Sequence, residues 1–156
     1  MDEGSRAILV KLIREQRVAA LGTLREGLPE VSMVPLVAEP DGSAFYFHAS
    51  TLAHHTQNIL REPRISLMLS EPDDWGRDPQ TLARIGIRGE ARALSSEGPA
   101  YERVRAMYVA RFPESAAHFA LGDFALYRVE PVAARYVAGF GKVFNLSAAD
   151  IMAAIS

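Results

Sequence analysis

The chain of 156 residues contains no cysteine. That absence excludes disulfide scaffolds, thiolate metal sites, iron–sulfur clusters and cysteine nucleophiles, and leaves hydroxyl, imidazole and carboxylate chemistry or a borrowed cofactor. An excess of one charge is also missing, since 17 basic against 19 acidic side chains give a net charge of -2. So even a balance offers no electrostatic attraction to nucleic acid or an anionic membrane, and neither is an expected partner. No apolar run approaches the ~18 residues of a membrane span, and Met1-Asp2-Glu3 is acidic before the chain turns apolar. A cytoplasmic location is expected. What is present, 49% hydrophobic and 23% charged residues, is the composition of one globular domain, with a folded surface of roughly 7,800 Å² for its mass.

Ser5 is placed to cap a helix over 5–16, where Ile8, Leu9, Leu12 and Ile13 recur at helical spacing. Apolar runs at 18–24, 31–38 and 44–48 are separated by Arg25-Glu26-Gly27-Leu28-Pro29 and by Glu39-Pro40-Asp41-Gly42-Ser43, so they read as an antiparallel meander. Ser50 or Thr51 opens a helix that Pro63 stops at Glu62. A strand over 64–70 leads to a loop over 71–79 that carries Trp75, and a long strand over 82–94 is interrupted by Gly86 and Gly89. Pro99 opens a helix with the apolar stripe Tyr101, Val104, Tyr108 and Phe112, and a short helix follows Pro113. Strands over 124–129 and 134–137 precede a terminal helix over 147–155 begun by a Ser147/Asp150 capping box. Strands in hairpin order with helices inserted singly predict a mainly β fold, an antiparallel barrel decorated by helices.

The stretch Ser50-Thr51-Leu52-Ala53-His54-His55-Thr56 sets two hydroxyls and two imidazoles around a helix start. Unpaired backbone N–H groups and the helix dipole make such a place a phosphate cradle, or else Ser50 or Thr51 is a plain cap and the histidines face solvent. His48, His54 and His55 show no metal-binding spacing, and no metal is expected. Gly139-Phe140-Gly141 lacks the third glycine of a dinucleotide fingerprint and reads as a turn presenting an aromatic ring. Arg84, Arg88 and Arg92 share one face of a strand, either as a solvated edge or with Arg84 reaching an anion across a subunit interface.

In their order, Pro29-Glu30-Val31-Ser32-Met33-Val34-Pro35, Phe45-Tyr46-Phe47-His48-Ala49-Ser50, the helix start at Leu52 to Asn58, and Glu62-Pro63-Arg64-Ile65-Ser66 resemble the pyridoxamine 5'-phosphate oxidase-like FMN-binding split barrels. Gly122 to Pro131 and Gly139-Phe140-Gly141 resemble the haem-utilisation branch of that family. The resemblance implies a six-stranded antiparallel split β-barrel spanning 18–144 within a single domain, a homodimer, and FMN at the subunit interface. Carried over by position, Ser32, Met33, Val34 and Pro35 would lie along the flavin, and Phe47, His48, Ala49 and Ser50 would flank it. Ala53, His54, His55 and Thr56 would face the phosphate, with Arg84 arriving from the partner chain and Phe140 near the cofactor. His48 is the one side chain nominated for proton transfer. The family's phosphate-binding arginine and lysine appear here as His54 and His55, and its strand-two arginine as Ser32. No counterpart of the oxidases' C-terminal substrate segment follows Val143. The expected function is therefore an FMN-dependent oxidoreductase acting on something other than pyridoxamine 5'-phosphate, with a non-enzymatic FMN or haem carrier as the alternative.

Overall fold

A computed structural model describes residues 1–156. The chain runs through α1 (Glu3–Glu15), β1 (Val18–Arg25), β2 (Leu28–Pro35), β3 (Val37–Ala38), β4 (Phe45–Ser50), α2 (His54–Arg61), β5 (Arg64–Ser70), β6 (Arg84–Ala93), α3 (Tyr101–Arg111), β7 (Phe124–Gly139), β8 (Lys142–Ser147) and α4 (Ala148–Ile155), with short 3₁₀ helices at Pro79–Thr81 and Pro113–Ala120. All strand pairs are antiparallel. The order is β2-β1-β5-β6-β7-β4-β3, with β8 added to β7. The sheet curls until β2 approaches β4, which gives the expected half-open antiparallel barrel with helices around it.

Eight strands stand where six were expected. The run expected at 31–38 splits into β2 and the two-residue β3, and Lys142–Ser147 forms β8, where no strand is expected from the sequence. Conversely, the two strands read at 124–129 and 134–137 are one 16-residue strand. Pro131 has no N–H for the ladder, and the sheet absorbs it with a register shift at Arg88/Gly89, directly opposite. Only glycine fits at position 89, because a Cβ there would run into the Glu130 carbonyl oxygen. Glu26 and Gly27 both adopt positive φ, 52° and 78°, the geometry of a two-residue hairpin turn between β1 and β2.

Two helix starts differ from expectation. The cap of α1 is Asp2, whose carboxylate accepts from the Ser5 N–H, while Ser5 is itself buried. The N-cap of α2 is Ala53, which supplies no side-chain bond. Ser50 instead donates to Asp123 Oδ2 and accepts from the Leu52 N–H. The Ser147/Asp150 capping box of α4 is present as expected.

Strand alternation sorts the faces. Ile65, Leu67 and Leu69 of β5 point inward, with Leu21, Ile85, Ile87, Phe45 and Phe47 from neighbouring strands. Leu9, Leu12 and Ile13 of α1 join this core, each burial worth about 1.5–3 kcal/mol over exposure. A second cluster lies on the other side of β4, where Tyr46 and Leu126 meet Val104, Tyr108 and Phe112 of α3. Glu39 fastens α3 there, accepting from Tyr46 Oη at 2.7 Å and from both terminal nitrogens of Arg103. Together these contacts and bonds pull the Glu39 carboxyl below its ordinary value, the Arg103 bonds first.

Candidate functional site

Register places residues of β1, β2 and β5 to β8 on the barrel's outer face in rows. One row runs Val31, Gly22, Ser66, Arg88, Ala133 across five strands. The absence of a side chain at Gly22 leaves a depression, since a Cβ there would collide with Ser66 Oγ. A groove of about 600 Å³ follows, walled by Val31 and Val132 and edged by Arg64 and Arg88. Arg64 is held by Glu62 at 2.8 Å, whereas no acidic group stands within ion-pair distance of Arg88. The expectation of a solvated edge for these arginines is corrected by topology: β6 lies between β5 and β7, so Arg88 projects from the middle of the sheet.

Around the edge strand β2 the groove adjoins a second cavity of about 350 Å³, and Thr23, Glu30 and Val31 line both. Ser32, His54 and His55 complete it. The α2 helix is fixed against the barrel from below: Asn58 Nδ2 donates to Thr23 Oγ1 at 3.0 Å and to Glu30 Oε2 at 2.8 Å. Above that clamp, Ser32 Oγ and His55 Nδ1 are hydrogen-bonded at 3.0 Å. Partial burial lowers the His55 pKa, because it disfavours the charged ring. The first-turn N–H groups of α2 have no helical carbonyl to bond. The Thr56 hydroxyl in that turn is fully buried without a partner.

The residues carried over by resemblance therefore divide. Ser32, His54 and His55 share one cavity, with Ala53 and Thr56 on the same helical turn. Val34, Phe47 and Ala49 have their side chains in the core, Phe47 stacked on Tyr127 at 5.4 Å. Met33 and Pro35 are exposed on the outer face. His48 faces the second cluster, only 8% exposed, stacked on Phe119 at 3.9 Å and beside Tyr108 and Phe124. Neither ring nitrogen of His48 has a partner, and burial, followed by the nearby His118, lowers its pKa to about 4. Arg84 pairs with Ser70 at the far end of β5, where it donates to the Leu82 carbonyl, and Phe140 is 76% exposed on the β7–β8 turn. Within the single chain neither lines the α2 cavity.

The site also holds residues to which the sequence reading gave no role. Glu30 brings a carboxylate to the cavity, and no lysine or arginine lines it. Thr23, Arg64 and Arg88 are in place only because β1, β5 and β6 are neighbours. The one available signal was the alternation that set Arg88 on an outer face.

The family model for pyridoxamine 5'-phosphate oxidase matches residues 7–138, from α1 to the end of β7. The chain belongs to the pyridoxamine 5'-phosphate oxidase family. The chloroplastic haem oxygenase HOZ of Arabidopsis thaliana is 37% identical over 121 residues, which are 76% of this chain but only 35% of that protein. This chain thus spans about a third of the length of that relative. The haem oxygenase HutZ of Vibrio cholerae is 26% identical over 141 residues, 89% of this chain and 79% of HutZ. These relatives agree with the resemblance to the haem-utilisation branch. In fold, the chain superposes on a haem-binding protein of Mycobacterium smegmatis with a TM-score of 0.86 at 23% identity, over 98% of this chain and 62% of that one. No helix of this family member is long and apolar enough to cross a membrane.

Proposed function

We propose that this protein binds haem in the cleft around β2 and serves haem utilisation, not the oxidation of pyridoxamine 5'-phosphate. The observation that carries this reading is the make-up of the two adjoining cavities. One holds imidazoles beside a helix start, the other holds Val31 and Val132 with Arg64 and Arg88 at its margin. Val31 and Val132 offer apolar contact to a porphyrin, and Arg88, which has no ion-pair partner, offers a cation for one of its carboxylates. Support also comes from the curated relatives, which are named as haem oxygenases.

The fit to FMN is poorer at the phosphate. Its expected cradle is lined by the Glu30 carboxylate together with His54 and His55, and by no lysine or arginine. The first-turn N–H groups of α2 keep FMN as the second reading. A bound flavin would supply hydride or electron exchange, and this chain's part would be to hold it.

The cleft opens onto an apolar stretch of the outer face formed by Met33, Ala20, Met68 and Gly86, aligned in one row. The surface, 8665 Å², exceeds by about 900 Å² the roughly 7,800 Å² of a compact monomer of this mass. Both facts support a homodimer through this face, in which Arg84 and Phe140 would approach the partner's cleft. A cysteine-free chain of this kind needs no oxidising compartment, in keeping with a cytoplasmic place.

Parallel titrations with haemin and with FMN, read by absorption, test the proposal. Haem uptake with at least tenfold preference over FMN is expected. Tight FMN binding that haemin cannot displace would return the protein to the flavoprotein reading. In that event, bleaching by NADH or NADPH followed by reoxidation marks an oxidoreductase, and inertness marks a carrier.

A further inference from the structure

We infer that the loop between β5 and β6 docks Trp75 into a second copy of this chain, in the concavity between Arg88 and Arg135 on that copy's outer face. The inference rests on the homodimer reading, not on the haem reading, and goes beyond it by naming the residue that each copy lends the other.

Trp75 is 93% exposed, more than any other large apolar side chain of the chain. Its φ of 62° is a conformation that a bulky residue rarely adopts, and nothing in its own chain covers the ring in return. The loop is nevertheless built to hold it there. Trp75 N–H donates to Asp73 Oδ1 at 3.0 Å and Gly76 N–H to Asp74 Oδ1 at 3.0 Å, while Arg77 bridges Glu71 at 2.9 Å and Asp74 at 3.9 Å. Glu71 closes the base, its N–H donating to the Ala83 carbonyl and its carboxylate accepting from the Ala83 N–H. A fixed loop that presents an indole ring to solvent is a contact surface, since burying that ring is worth more than burying any other side chain.

Charge and symmetry say what covers it. Between Glu71 and Asp78 the loop carries four carboxylates against one arginine, so its complement is a basic surface. The outer face has one, a concavity of about 660 Å³ lined by Ser66, Gly86, Val132 and Ala133 with Arg88 and Arg135, and by no acidic residue. Gly86, where an added Cβ would stand in open space, leaves room for the indole ring. Arg135 bonds only the Asn145 side chain and has no acid within ion-pair distance, so it is the cation left for the loop's carboxylates. The loop leaves the sheet at the Ser70–Arg84 row, one row beyond Met68 and Gly86, and the concavity lies at the Ser66–Arg88–Ala133 row, one row to the other side. A two-fold axis along the Met68–Gly86 row therefore carries each loop onto the concavity of the other copy. An axis along the strands would set the two acidic loops against each other, which their like charges oppose.

Trp75 is the one tryptophan of the 156 residues and there is no cysteine, so emission reports on this position and introduced thiols have no rivals. In the ligand-free protein, at concentrations where sedimentation shows a dimer, the emission is expected to be blue-shifted and acrylamide quenching at least threefold weaker than for N-acetyltryptophanamide. Trp75→Ala and Arg135→Glu should each weaken dimerisation at least tenfold with the circular dichroism unchanged. A short bis-maleimide should join Gly76→Cys/Ala133→Cys chains into covalent dimers, while Gly76→Cys alone stays uncrosslinked. A dimer whose tryptophan is as quenchable as the free indole, a dimer that Trp75→Ala or Arg135→Glu leaves intact, or crosslinking through Gly76→Cys alone overturns the inference and leaves the homodimer standing. A monomer at every concentration overturns both.

Discussion

Ser32 Oγ and His55 Nδ1 meet at 3.0 Å although 23 residues separate them in the chain. One residue comes from the edge strand β2 and the other from the first turn of α2, so the bond exists only when barrel and helix are docked. The pair is therefore both a report on the fold and the fixed point of the cleft.

Removing either partner leaves the other in a half-buried place, while removing both leaves nothing to satisfy. In the protein without added ligand, a double-mutant cycle of Ser32→Ala and His55→Ala is expected to give a coupling of about 1 kcal/mol in urea unfolding. Additive effects would show that the bond does not persist in solution.

Glu30 governs what charge the cavity tolerates. In Glu30→Gln the amide oxygen still accepts from Asn58 Nδ2, but the negative charge is gone. Binding of inorganic phosphate or FMN is expected to strengthen about tenfold, the scale of one nearby charge removed at a protein surface. Unchanged anion affinity would place the phosphate-repelling group elsewhere.

The orphaned ring of His48 predicts a pH dependence. Its folded pKa, about 4, lies below the ordinary 6.5, because burial and then the neighbouring His118 disfavour the imidazolium. The unfolded chain takes up the proton below pH 6.5 and the folded chain only near pH 4, so stability is full above 6.5 and falls as pH drops towards 4. The loss from this residue is at most ~3 kcal/mol at ~1.4 kcal/mol per pH unit. Tyr108, raised to about 12 chiefly by burial, does not titrate in that window. The lowered carboxyls of Glu39 and Glu62 act below it. His55 contributes in the same direction, so the check is a difference. His48→Phe should keep the stack on Phe119, raise stability by about 1–2 kcal/mol, and flatten urea midpoints measured from pH 7 to pH 4.5. Equal slopes in both proteins would contradict the account of His48.

Met68 lies in the middle of the apolar row on the outer face, between Ala20 and Gly86. Met68→Lys should convert a dimer to a monomer in sedimentation without lowering strand content, since the side chain is half exposed in the single chain. A dimer unaffected by that charge would be built on another surface.

Much of the fold was legible, and the reasons for the misses are local. Alternation in Arg64–Ser70 and the turn chemistry of Glu26-Gly27 are short-range signals, and they placed β5 and the first hairpin. Pro131 broke the reading of β7 because a proline ordinarily interrupts a ladder, and its compensation by Gly89 is a cross-strand event that no local window contains. For the same reason the helix cap was misread: Ser50 spends its hydroxyl on Asp123, 73 residues away. At the site, residues on one turn of α2 could be grouped from spacing. Glu30, Arg64 and Arg88 could not, because strand order alone brings them to the cleft.

Gel filtration of the protein mixed with excess haemin, with absorbance followed at both the protein and the Soret wavelength, decides whether the protein binds haem. A Soret band that co-elutes with a dimer at one haem per chain is expected. A dimer that elutes without the band, while FMN added in its place remains bound, would contradict it.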